Sequence, residues 1–468
     1  MTTYLPDGAP RAGDGLGALG PRLAELFGER FRRDGEERRR HCATTGWTAP
    51  EPPDGVVYAE SVQDVRDVLR LCAEHRVPLI PFGGGTSIEG QVNAPQGGLS
   101  LDLSRLDRVV AVAPDELTVT VQPGIRREAL NARLAPYDLF FPVDPGADAT
   151  LGGMASTRAS GTRAVGYGTM RDNVLAARVQ LAGGEEIAVG TAAAKSASGY
   201  DLLRLFVGAE GTLGVFTELT LRVYPLAEHV AAATAVFPSV AAAVAAAIAI
   251  RRQGIRLTRV ELLDRASIRA LNLHLGLGLP EEIHLFLEIS GAAVGVESDL
   301  VRLVALLDGL GATGVRSADD TERSAELWHA RHELWWATHA MFPGRAGLPT
   351  DACVPLSRLA ECIGFAMAEA ERLGVEAPLC GHVGDGNFHM LAMVDPADAD
   401  ARHRARRLSI AVARRAVELG GTCTGEHGIG QGKRHLLRME HGAAVGVMAA
   451  VKAVLDPLGI LNPGKIFQ

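Results

Sequence analysis

The chain runs Val77-Pro78-Leu79-Ile80-Pro81-Phe82-Gly83-Gly84-Gly85-Thr86-Ser87, an apolar strand candidate that empties into three successive glycines. Without Cβ atoms, such a loop lets backbone N–H groups curl around an anion, which makes a nest suited to pyrophosphate. A plain tight turn accounts for the same glycines equally well. The stretch is not a Rossmann fingerprint, because no G-x-G-x-x-G opens a helix here. Nor is there a Walker A loop, since Gly432-Lys433 lacks the earlier spaced glycine and a following Ser or Thr.

Outward from this loop the pattern is one of short units. A strand at 56–58, a helix at 62–75 capped by Ser61, and the strand at 77–81 precede it. Strands at 99–103, 109–112 and 117–121, a helix at 123–135 and a hairpin over 174–189 turning at Gly183-Gly184 follow it. Near residue 227 the character changes. Strands at 231–237, 257–262 and 283–289 alternate with helices at 239–253, 264–273 and 296–311, which predicts an α+β module with an antiparallel sheet. Strands at 379–383 and 388–394 and a long helix at 399–419 come later. The division expected is a tail with charged helices (1–53), a cofactor domain (54–226), a cap (227–425) and a C-terminal segment returning to the cofactor domain (426–468).

A chain of 468 residues exceeds the roughly 250–300 at which one core divides, so several domains are expected. A formal charge of -8 argues against a nucleic-acid surface. The six cysteines form no CxxC pair, which excludes a disulfide scaffold or an iron–sulfur motif and suits a reducing, cytoplasmic location. No stretch reaches the roughly 18 consecutive apolar residues of a spanning helix, so any membrane contact is expected to be peripheral. The longest apolar run, 230–250, is broken by Pro238-Ser239 and reads as strand, turn and helix.

Chemistry concentrates late in the chain. In Cys380-Gly381-His382-Val383-Gly384-Asp385-Gly386-Asn387-Phe388-His389, a two-residue turn at Asp385-Gly386 would set His382 directly opposite His389. Opposed residues have Cβ atoms roughly 4.5–5.5 Å apart, so both imidazoles could face one ion. Glu426 and His427 stand together on the loop Gly425-Glu426-His427-Gly428. Two imidazoles and a carboxylate suit a divalent ion such as zinc or manganese. Structural, hydrogen-bonded histidines are the alternative.

The glycine loop, with Phe141-Pro142-Val143-Asp144-Pro145-Gly146, Leu151-Gly152-Gly153-Met154-Ala155, Gly208-Ala209-Glu210-Gly211-Thr212-Leu213-Gly214 and Leu461-Asn462-Pro463-Gly464-Lys465, resembles the FAD-binding fold of the vanillyl-alcohol oxidase and p-cresol methylhydroxylase group. The resemblance implies an α+β protein, with a two-subdomain FAD-binding domain of the p-cresol methylhydroxylase type and an α+β cap. It implies that Gly83, Gly84, Gly85, Thr86 and Ser87 wrap the FAD diphosphate. Pro142, Asp144, Gly152, Gly153, Gly161, Glu210, Gly211, Gly214 and Asn462 would complete the cofactor site. Thr86 and Ser87 stand where several covalent-flavin relatives carry histidine, so the FAD is expected to be non-covalent.

The two histidine segments are similar to those of the D-lactate and D-2-hydroxyglutarate dehydrogenases. There, His382, His389 and Glu426 would hold the metal, His427 would act as general base, and Arg331 would anchor a substrate carboxylate. A surface salt bridge is the plain reading of Arg331, and Lys195, Lys433 and Lys465 are weaker candidates for the site. The activity implied is metal-assisted oxidation of a D-2-hydroxyacid, with hydride passing to flavin N5. Thr350 and Leu391 replace polar residues typical of the hydroxyglutarate enzymes, which favours a monocarboxylate such as D-lactate. A cytochrome, quinone or flavoprotein would accept the electrons. The FAD subunit of a glycolate oxidase complex is the nearest rival. A non-catalytic FAD- or metal-binding scaffold is the rival of a different class, and alkyl-ether-type synthases are disfavoured by the metal and base set.

Overall fold

The computed structural model describes residues 16–42, 48–318 and 321–467, without the side chains of 321–323. The glycine-rich tail expected at the N-terminus lies largely outside them. The strand Leu79–Phe82 that delivers the glycine loop pairs in parallel with Leu99–Asp102, which pairs in parallel with Gly55–Tyr58; Phe31–Arg32 closes the sheet antiparallel. Parallel neighbours require a crossover, and the helix Val62–His75 provides it. Ser61 caps that helix: its Oγ accepts the Asp64 N–H at 3.1 Å, and the Asp64 carboxylate accepts the Ser61 N–H at 3.1 Å. Val65, Val68, Leu69 and Cys72 recur at helical spacing and form the buried face.

A second sheet of five antiparallel strands follows, in the order 109–113, 118–121, 215–222, 174–180 and 186–190. The turn anticipated at Gly183-Gly184 is present, with the Gly184 N–H bonded to the Leu181 carbonyl at 2.8 Å. The helix expected from 123 begins later, as Arg127–Leu134. Pro123 and Gly124 are instead spent on a turn, where the Gly124 N–H bonds to the Leu106 carbonyl at 2.7 Å.

The cap is a larger antiparallel sheet in which His229–Phe237, Arg259–Leu263 and Ile283–Gly291 pair with one another or with later strands. Helices Val240–Arg252, Arg265–Leu275 and Ala293–Gly309 connect them, as their alternation in sequence predicts. The apolar run at 230–250 is strand, Pro238-Ser239 and packed helix, and no helix among the described residues is long and apolar enough to cross a membrane. The C-terminal segment comes back to the glycine-loop strand. The Leu79 N–H bonds to the Ile460 carbonyl at 2.8 Å, and the Asn462 N–H bonds to the Leu79 carbonyl at 2.8 Å.

Candidate active site

The first sheet, the second sheet and the cap enclose a cavity of about 650 Å³. Gly83 to Ser87, Asp144, Gly152, Gly153, Gly161, Glu210, Gly211, Gly214 and Asn462 all line it, and Pro142 does not. Pro142 is buried beside Asp144, which reaches the wall in its place. The glycine loop presses close to a neighbouring turn: a Cβ on Gly83 would sit 2.3 Å from Thr150 Oγ1. That hydroxyl and Ser87 Oγ are buried without a hydrogen-bond partner. Unsatisfied buried donors around a glycine nest are what an anionic diphosphate would complete, so these residues fit FAD.

Some of these wall residues also fasten the chain behind the cavity. Glu210 accepts the Ile429 N–H at 2.7 Å and the Gly430 N–H at 2.8 Å, and Asn462 Nδ2 donates to the Glu210 carbonyl at 2.7 Å. Burial is the main cause that pushes the Glu210 carboxyl up to about 7. Lys465 Nζ donates to the Asn93 carbonyl at 2.7 Å and fastens the C-terminal turn, while Lys195 is exposed and outside the cavity. Asp144 meets the cap through Arg259, whose Nη2 lies 3.3 Å from Asp144 Oδ2 and whose Nη1 lies 3.0 Å from Glu288 Oε2.

On the cap side, His382, His389, Glu426, His427 and Arg331 line the same cavity. The expected pairing of His382 directly with His389 is corrected. The strands are Leu379–Gly381 and Asn387–Val394, and Cys380 is the residue opposite His389. The turn is longer than two residues, with Gly386 at φ +84° and the Asn387 N–H reaching the His382 carbonyl at 3.4 Å. The register therefore slips by two residues, which preserves the face. His382 meets His389 diagonally, with ring centroids 5.4 Å apart. Gly386 is fixed by space as well as by φ, because a Cβ there would lie 2.1 Å from the Val354 carbonyl oxygen. A Gly386→Ala protein is expected to lose about 1–3 kcal/mol in a urea titration, the usual cost of such backbone strain.

His389 Nε2 lies 3.1 Å and His382 Nε2 3.8 Å from Glu426 Oε1, and one ligand atom from each of these three residues lies within 4.8 Å of the others. The second nitrogens define the tautomers. His389 Nδ1 donates to the Thr350 carbonyl at 3.0 Å, and His382 Nδ1 donates to Glu261 Oε1. Each ring thus turns its Nε2 toward Glu426, and His389 Nε2 is buried without a hydrogen bond. This donor set fits a divalent ion, with the outer partners that metal-bound histidines commonly have. Burial disfavours a charged His382, yet Glu261 and Glu426 outweigh it and raise its pKa, so an ion there would displace a proton.

Two residues of this arrangement, Glu261 and Asp351, escaped the reading of the sequence. Glu261 is fully buried and holds Arg331 by two bonds, to Nε at 2.9 Å and Nη2 at 2.7 Å, as well as His382. Burial opposes its ionisation, but His382 and Arg331 bring its pKa down to about 2. A charged residue inside the apolar strand Arg259–Leu263 was the available signal. Arg331 is therefore no surface residue; Nη1 alone has no protein partner among the described residues. Asp351 Oδ2 accepts from Thr424 Oγ1 at 2.6 Å, the Glu426 N–H at 3.1 Å and the His427 N–H at 3.0 Å, folding the loop that carries both side chains. Thr350 acts through its carbonyl, while its side chain is buried away from the cavity. His427 stacks on His389 with centroids 5.0 Å apart. Burial lowers its pKa to about 4 despite Asp351, so the ring is neutral near pH 7.

Known proteins resemble the chain over most of its length. The model described as FAD binding domain matches residues 53–190, and the one described as FAD linked oxidases, C-terminal domain, matches residues 226–466. A probable mitochondrial D-lactate dehydrogenase of Danio rerio is 44% identical, over 89% of this chain and 85% of its own. A mitochondrial D-lactate dehydrogenase (cytochrome) of Arabidopsis thaliana is 43% identical, over 88% of this chain and 73% of its own. Among solved structures, p-cresol methylhydroxylase superposes with a TM-score of 0.82 at 14% identity, over 98% of each chain, which shows the fold. The cytoplasmic location expected from the sequence is corrected by the two dehydrogenases, both named as mitochondrial. Free cysteines indicate a reducing compartment without distinguishing one from another. On matches that run from residue 53 to residue 466, the chain belongs to the FAD linked oxidase family.

Proposed function

We propose that this chain oxidises a small D-2-hydroxyacid, D-lactate foremost, to the 2-oxoacid, with non-covalent FAD as acceptor. The observation that carries the reading is a single cavity bounded by the glycine loop on one side and by His382, His389, Glu426, His427 and Arg331 on the other. Bound there, FAD supplies a hydride acceptor and a divalent ion, zinc or manganese, supplies a Lewis acid for the hydroxyl oxygen.

The protein's own groups do the rest. His427 Nδ1 is buried 3.9 Å from Asp351 Oδ2, whose charge favours the tautomer protonated at that nitrogen. Nε2 is then the atom that takes the hydroxyl proton. Arg331, held by Glu261 through Nε and Nη2, offers its remaining donors to the substrate carboxylate. Leu391 lines the cavity two residues beyond His389 on the same strand, and an apolar wall there suits a monocarboxylate. Reoxidation falls to a cytochrome, quinone or flavoprotein, with any membrane contact peripheral.

Anaerobic mixing of the holoprotein with D-lactate, L-lactate, glycolate or D-2-hydroxyglutarate tests this through bleaching of the oxidised flavin band. D-lactate is expected to bleach it fastest, chelation to stop the reaction and a divalent metal to restore it. Intact flavin absorbance with all four acids, in protein carrying both FAD and metal, would refute the proposal.

A further inference from the structure

Behind the loop that carries Glu426 and His427, Asp351 belongs to a group of buried charges whose other two members, Lys433 and Glu89, have no place in the chemistry above. Lys433 Nζ is 3.1 Å from Glu89 Oε1 and 3.5 Å from Asp351 Oδ2. Lys433, Glu89 and Asp351 are 4%, 0% and 2% exposed, and neither Lys433 nor Glu89 lines the cavity. They come from three parts of the chain: Glu89 ends the glycine loop, Asp351 belongs to the cap, and Lys433 follows the C-terminal loop. Packing around Glu89 is close. Its carbonyl accepts the Gln431 N–H at 2.8 Å and the Gly432 N–H at 3.1 Å, and a Cβ on Gly432 would sit 2.2 Å from Glu89 Oε2.

Asp351 is held from several sides: its Oδ1 accepts from Asn387 Nδ2 at 2.9 Å, and its Oδ2 accepts from Thr424 Oγ1 at 2.6 Å and faces Lys433 Nζ. Among the described residues the other ionisable nitrogens near it are His389 Nδ1 at 3.8 Å and His427 Nδ1 at 3.9 Å. His389 Nδ1 is already committed to the Thr350 carbonyl. Lys433 is thus the permanent charge beside Asp351, and Asp351 Oδ2 is the acceptor on which the N–H groups of Glu426 and His427 converge.

We infer that Lys433 is a positioning residue, fixed by Glu89 at the back of the glycine loop and holding in place the Asp351 side chain that receives the N–H groups of Glu426 and His427 and aims both residues into the cavity. The cluster ties the cofactor loop to the metal and base loop, so the two halves of the site keep one geometry. The inference rests on the metal reading above for its binding measurement, but the placement of the loop is tested independently of it.

Wild-type holoprotein, Lys433→Met, Lys433→Arg and Glu89→Gln are compared by flavin content, calorimetric titration with manganese alone, and hydrogen exchange of the peptide covering 424–427. In Lys433→Met, FAD stays bound, exchange at 424–427 rises, and manganese affinity falls about 10–100-fold, as for loss of support behind a metal ligand. Lys433→Arg restores most of both. Glu89→Gln, the milder change should Lys433→Met fail to fold, shows the same directions with smaller size. A purely structural lysine would instead lower the melting temperature and leave affinity and exchange at wild-type values in the folded, flavin-loaded variants. That result overturns the inference. Should wild-type protein bind no manganese, the metal reading fails, and unchanged exchange in the variants would still refute the positioning role by itself.

Discussion

Replacing Glu261 with glutamine is expected to destabilise the protein by about 3–5 kcal/mol and to weaken divalent-metal binding about 10–100-fold. The size follows from what one side chain does. Glu261 is fully buried, pairs with Arg331 through Nε and Nη2, and receives the Nδ1 proton of His382. Glutamine keeps the volume but removes the charge, so the guanidinium is left buried without its counter-ion. Its NH₂ group must also point at one of two donors, Arg331 or His382 Nδ1, and no rotation satisfies both. The first defect is read as a shift in denaturant midpoint, and the second as a change in metal affinity in protein that still carries FAD. Glu261→Asp keeps the charge on a shorter arm and should fall between the two. Wild-type metal affinity in Glu261→Gln would mean that His382 is not oriented through Nδ1, and the ligand set would have to be redrawn.

The contrast between Ser61 and Glu261 marks what the sequence could and could not disclose. Ser61 and Asp64 cap a helix within one turn, so residue type and spacing suffice to place it. The alternation of strand and helix from 229 to 309 is legible for the same reason, because each element declares its own period. The His382–His389 hairpin was legible as a hairpin, but its register depended on Gly386 meeting Val354, a contact across about thirty positions that no turn rule supplies. Asp351 lies still farther from recognition by local pattern, and Lys433 was legible only as a weaker candidate for the site. Their function depends on a carboxylate of the cap meeting a loop from 424–427 and a glutamate from the cofactor domain. Glu261 alone among the missed residues left a local trace, a charge amid apolar strand neighbours. A charge buried in that way must be paired, and only the fold names the partner.

His427→Gln should lower kcat about 10²–10⁴-fold, the contribution of a placed general base, with FAD and metal retained. Glutamine can keep a polar group near Asp351 but has no nitrogen able to accept a proton at neutral pH. The proposed metal set of His382, His389 and Glu426, by contrast, does not include the His427 ring. The pH dependence separates the two roles. Burial, the largest influence, together with His389 and Lys433 lowers the His427 pKa to about 4, while Asp351 and Glu426 oppose the fall. A base works in its deprotonated form, so activity is lost as pH drops through its pKa, and a lowered pKa moves that loss to more acid pH. The acid limb of kcat/KM in the wild-type protein is therefore expected below the ordinary histidine value of about 6.5. In His427→Gln the residual rate should lack that limb. Glu426→Gln should instead lose metal and turnover together, with excess metal restoring part of the rate. If His427→Gln behaves like Glu426→Gln, losing metal and recovering when metal is supplied, the ring belongs to the ion's coordination and the base must be sought elsewhere in the cavity.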